Sequence, residues 1–184
     1  SQELLNPTIK SNCGLLCQDV KAHPHVIVDN EKQLQLLRGK VGMLGMYPAA
    51  NKAFSKMLAQ IFKLAAEPSP IQSFDTKDLE KCLATPGRMS LGTIAVKDFR
   101  ADNLGMKIFK GCTDRSPCPT PAAKAQAGVL LLVTSTDTAS DPTASNQMEA
   151  SISYVGGRSD TLFSGVYVRQ GLPGLVAIMV LCGM

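Results

Sequence analysis

At 184 residues the chain has room for one domain with a proper core. Hydrophobic residues make up 45%, charged residues 18% and aromatics only 5%, with no tryptophan, so the core must rest on aliphatic and methionine side chains. A net charge of +4 is too mild to mark a nucleic-acid binder by bulk charge, and six cysteines are too dilute for a disulfide scaffold.

The charge is unevenly placed. Residues 1–66 carry eight Lys/Arg against four Asp/Glu, residues 67–184 carry eleven of each, and only seven charged residues occur from position 119 onward. A free globular surface is normally richer in charge than that last stretch. It reads as a half that packs against something or belongs to an assembly. The N-terminal SQELLNPTIK lacks the basic and apolar regions of a secretory signal. The apolar runs at 129–133 and 175–182 are far shorter than a membrane helix needs, so no membrane partner is expected.

In chain order, residues 1–22 read as an irregular N-terminal extension and residues 23–184 as a single domain. Residues 23–29 read as extended, since Pro24 disfavours helix before it. In KQLQLL, Leu34 and Leu36 alternate with Gln33 and Gln35 at strand period, and Gly39, Gly42 and Gly45 oppose a long helix. Residues 49–66 form the best helix. Ala50, Phe54, Met57, Leu58, Ile61, Phe62 and Ala65 make one apolar stripe, with Lys52, Lys56 and Lys63 on the opposite face. Pro48 suits its first turn, EPSP ends it, and a second short helix follows at 76–83.

Beyond residue 88 the pattern turns to strands. MSLGTIAVKDF and LGMKIF read as strands, and GCTDRSPCPTPAAKAQ as a loop. GVLLLVTST reads as a strand buried on both faces. After the polar loop TDTASDPTASN, QMEASISYV places Met148, Ala150, Ile152 and Tyr154 on one side, as in a half-buried strand. TLFSGVYVR and LVAIMVLC complete the set. The expected fold is mainly β, a single sandwich.

The densest chemistry lies in NCGLLCQDVKAHPH. Cys13, Cys17, His23 and His25 are the right residue types for tetrahedral zinc, although one residue between the histidines is shorter than the familiar spacing. The plainer reading is packed cysteines and incidental histidines leading into the first strand. A cysteine–histidine catalytic pair needs partners from opposite walls of a cleft, which residues so close in sequence do not supply. No G-x-S-x-G occurs, and GKVGMLG is neither a phosphate loop nor a dinucleotide fingerprint. Asp98 with Asp102, and Asp137 with Asp141, sit in turn-like sequence where Asp bonds locally. Cys112 and Cys118 bracket a rigid loop, where a disulfide belongs only outside a reducing compartment. These eliminations leave no catalytic residue, no cofactor and no enzyme. The Lys52, Lys56 and Lys63 face reads as solvated, or as a contact for nucleic-acid phosphate.

A strand-rich, charge-poor second half with small polar loops and one amphipathic helix resembles the capsid subunits of small icosahedral positive-strand RNA viruses, of the picorna-like plant type. The resemblance implies a jelly-roll β-sandwich. Residues 25–29 and 34–44 would be its first two strands, 49–66 the helix between, and 71–74 a short third. Residues 89–99, 104–109, 128–136, 147–155, 161–169 and 175–182 would supply the rest. It implies a structural capsid subunit that self-assembles with copies of itself or sister capsid subunits around viral RNA, located in the virion and host cytoplasm. Two alternatives stand beside it: an RNA-binding or movement-type protein using the lysine face, and a small zinc-stabilised domain.

Overall fold

The computed structural model describes residues 20, 22–118 and 124–184. Most of the expected extension, with Cys13 and Cys17, lies outside the described residues, as do positions 119–123 of the proline-rich loop.

Five strands form one mixed sheet: β1 Pro24–Val26, β2 Gly87–Val96, β3 Ala125–Thr134, β4 Ser159–Val168 and β5 Leu175–Cys182, in the order β1-β2-β5-β3-β4. β1 runs parallel to β2 and β4 parallel to β3, whereas β5 lies antiparallel between β2 and β3. The helices among the described residues are α1 Asn30–Leu37, α2 Met46–Ala65, α3 Thr76–Leu83, α4 Leu104–Arg115, the one-turn α5 Thr136–Ala139 and α6 Pro142–Gly156.

The sheet is covered on both faces, and the alternation along β3 shows how. Val129 and Leu131, with Ile178 and Val180 of β5, meet Met57, Ile61 and Leu64 of α2 and Leu79 of α3. Leu130 and Leu132, with Ala177, Met179 and Leu181 of β5, meet Leu104 and Ile108 of α4 and Met148 and Val155 of α6. Residues 129–132 are all fully buried. Each large aliphatic side chain so placed stabilises by about 1.5–3 kcal/mol. The molecule is a three-layer α/β/α arrangement, not the mainly-β jelly roll expected from the sequence.

Three segments account for that difference. LGMKIF lies in α4, where Leu104, Ile108 and Cys112 recur every fourth residue and are fully buried. QMEASISYV lies in α6, whose buried stripe is Ala144, Met148, Ser151 and Val155. Met148 and Ile152 satisfy strand alternation and helical i, i+4 spacing alike, so the period-2 reading was available but wrong. KQLQLL lies in α1, where the Asp29 carboxylate accepts from the Lys32 N–H at 3.1 Å as an N-cap. Lys32 Nζ donates to the carbonyls of Thr113, in the last turn of α4, and of Cys118, just past it, 3.2 Å each, at the helix end where a cation is favoured. The helix expected at 49–66 is α2, that at 76–83 is α3, and the doubly buried run is β3.

The thin charge of the second half now has its cause. Its central strands β3 and β5 are screened by helices on both sides and are almost wholly buried, which leaves no place for charge along them. Gly92 of β2 shows how closely the helical layer approaches: a Cβ there would lie 2.1 Å from the Cys112 carbonyl oxygen of α4.

Candidate functional site

The most heavily fastened surface feature is the connection between α2 and α3, residues 66–75. It crosses the end of the sheet beside β4 and is held by side chains rather than by a ladder. The only pairing that remains of the strand expected at 71–74 is a single antiparallel bridge, Gln72 to Val166.

Tyr167 of β4 is the hub. It is almost fully buried, and its hydroxyl accepts from the Phe74 N–H at 3.1 Å while lying 2.8 Å from the Leu64 carbonyl and 3.1 Å from that of Phe74. The single hydroxyl hydrogen goes to Leu64, the shorter contact. Phe74 is fully buried, and Gly165 makes room for it: a Cβ at 165 would stand 2.9 Å from the Phe74 Cβ. Around this hub the Ser69 hydroxyl donates to the Val166 carbonyl and accepts from the Ile71 N–H at 3.1 Å. Val166 N–H donates to the Gln72 carbonyl at 2.9 Å, and the Gln72 amide to the Ser164 hydroxyl at 2.9 Å. Arg169 pairs with Glu67 at the base of the loop.

So fastened, the loop projects an apolar tip, Ile71, which is 52% exposed. Four residues on, the Asp75 side chain accepts from the Asp78 N–H at 2.9 Å and so starts α3. Asp78 lies 4.0 Å from Lys81. The result is a rigid knuckle with one exposed isoleucine and two carboxylates, fit for contact with another surface. Sequence reasoning missed it. The available signal was D-T-K-D at 75–78, an N-cap followed three residues on by an acid.

The sequence-predicted residues lie elsewhere. Lys52, Lys56 and Lys63 are exposed on α2 beside the exposed Phe62. Lys63 and Arg169 line a cleft of about 250 Å³ with Leu64, Leu172 and Ile178. His25 Nδ1 lies 2.9 Å from the His23 carbonyl, a local bond across Pro24. Among the described residues no group of three metal-ligating side chains comes together. Cys112 and Cys118 are free and buried, and burial pushes the Cys112 thiol up to about 12. Among the described residues no helix is long and apolar enough to cross a membrane.

No protein-family profile and no curated protein matches the sequence. Solved structures do. A GTPγS-bound protofilament of CetZ2 from Haloferax volcanii superposes with a TM-score of 0.67 at 19% identity, over 95% of this chain and 50% of that one. GDP-form protofilaments of TubZ from Bacillus thuringiensis serovar israelensis give 0.70 at 15%, over 96% and 48%. An FtsZ dimer from M. jannaschii gives 0.67 at 14%, over 94% and 48%. The chain therefore has the fold of this part of the tubulin/FtsZ type, and spans about half the length of the structures it matches.

Several expectations fall with this finding. The neighbours are tubulin/FtsZ GTPases rather than viral coat proteins, which overturns the capsid resemblance and the non-enzymatic reading together. The RNA-binding and zinc-domain alternatives have no support in them either. They are cellular cytoskeletal proteins and not components of a virion. Association with copies survives in its coarse form, because several of the matched structures are protofilaments; viral RNA and capsid sister subunits do not.

Proposed function

We propose that this chain is the assembly half of a filament-forming, GTP-hydrolysing subunit, and that the 66–78 knuckle meets the next copy along the filament. One observation carries the reading: superposition of nearly the whole chain on subunits of solved protofilaments. The knuckle adds to it. It is rigid before any partner arrives, so ordering it on contact costs little. Its exposed Ile71 is the sort of side chain a charge-depleted interface core takes.

The nucleotide itself finds no cradle here. Gly39, Gly42 and Gly45 lead into α2, whose N-cap is Gly45, but their spacing is not that of a phosphate loop. The basic cleft at Lys63 and Arg169 has its arginine paired with Glu67, and a second, lined by Lys97, Lys107 and Lys110, holds Asp98 and Asp114 among its lysines. These residues do not compose a triphosphate site. The nucleotide is accordingly assigned to a region outside them, and hydrolysis to the assembled polymer rather than to this chain alone.

The test is sedimentation and electron microscopy of the protein with GTP, compared with an Ile71→Asp variant. Linear filaments are expected from the parent chain. In the variant, a charge on an already exposed tip leaves the fold intact and raises the concentration needed for assembly by about tenfold or more. Closed shells, or a monomer at every concentration, would overturn the reading.

A further inference from the structure

We propose that Cys82 and Cys182 form a reversible disulfide that staples the last turn of α3 to the end of β5 when the protein meets a hydroperoxide. The inference rests on the geometry of the two thiols and not on the filament reading.

The two residues are 100 positions apart in the chain, yet their sulfurs lie 3.1 Å from each other, and both side chains are fully buried. A disulfide needs about 2.05 Å, so an approach of about 1 Å by the two sulfurs suffices. The surrounding backbone holds this pose. Gly183 follows Cys182 with a φ of +74°, and a Cβ there would lie 2.8 Å from both the Thr85 Cγ2 and the Gln126 Cβ. The strand end is thus seated directly beneath the turn that leaves α3. The other two described cysteines differ. Cys112 Sγ faces the Ala177 carbonyl at 3.9 Å, and Cys118 has Ser116 and Lys32 about it.

The chemistry divides between the two sulfurs. The hydrogen bond from Cys182 holds the Cys82 thiol below its ordinary range, whereas Cys182 is pushed up as the donor. Cys82 is taken as the nucleophile; the same disulfide and the same balance follow if the two sulfurs exchange roles. The Cys82 thiolate attacks the outer peroxide oxygen, the O–O bond breaks, and the remaining alkoxide takes a proton and leaves as alcohol, or as water from hydrogen peroxide. Cys182 sulfur then attacks the sulfenic sulfur of Cys82, and the hydroxyl leaves with the Cys182 proton as water. Two thiols and one hydroperoxide become one disulfide, one water and one alcohol, with two electrons passed to the peroxide oxygens. Access comes by opening of α3, an eight-residue helix whose buried residues are Leu79 and Cys82.

The experiment treats the native full chain with hydrogen peroxide, blocks remaining thiols after unfolding, and maps peptides without reduction. The expected result is a peptide pair joining Cys82 to Cys182, reversed by dithiothreitol, with a rise in melting temperature on the order of 10 °C. Cys82→Ser and Cys182→Ser each abolish the joined peptide and the thermal shift, whereas Cys112→Ser leaves both. Should a variant fail to fold, the parent-chain map decides alone. Both thiols recovered free, or joined to Cys13, Cys17 or any other cysteine, would overturn the assignment.

Discussion

Tyr167 holds a loop in place with one oxygen atom. Its hydroxyl satisfies the Leu64 carbonyl and the Phe74 N–H, two backbone groups from either end of the 66–75 connection. Replacing it by phenylalanine keeps the ring and strands the Phe74 N–H, while the Leu64 carbonyl keeps its bond from the Glu67 N–H. Tyr167→Phe is expected to cost about 1–3 kcal/mol in urea denaturation, because a buried group left unsatisfied loses its full desolvation penalty. None of this was legible in TLFSGVYVR. A tyrosine in a strand reads as ordinary β composition, and its partners lie 93 and 103 residues away. Asp141, read from sequence only as a turn residue that bonds locally, caps α6, and Asp29 and Asp75, not singled out there, cap α1 and α3 in the same way.

At the scale of elements, α2 and α3 could be read directly because each carries an uninterrupted apolar stripe and a clear stop. α4 and α6 could not. Their buried stripes contain Gly105 and Ser151, small residues that let the two helices approach. Without bulky residues at those positions the helical period is diluted, and strand alternation fits as well. The same closeness makes the α4–β2 contact brittle. Gly92→Ala places a methyl 2.1 Å from the Cys112 carbonyl oxygen, and backbone cannot rotate aside as a side chain does. The expected loss is about 3 kcal/mol or more, at the upper end for overpacking, read from the urea midpoint at unchanged slope.

Over the whole molecule, the doubly buried run in β3 was the strongest clue and was placed in the wrong architecture. Strands covered on both faces belong to helix–sheet–helix layers more readily than to a sandwich with one wet face. Circular dichroism should accordingly show helix exceeding strand, and a β-dominated spectrum would contradict the layered fold. The candidate site was less legible still, because the knuckle depends on β4 side chains reaching residues a hundred positions earlier.

The strand order also fixes when this molecule can become itself. β5 is the last of the five strands to be synthesised, yet it is the plank between β2 and β3, paired with both along most of its length. Until it emerges from the ribosome, the β3–β4 half and the β1–β2 half share no strand pairing. A nascent chain would therefore wait, with two greasy edges open, for its final eight-residue insertion, and would need shelter during that interval.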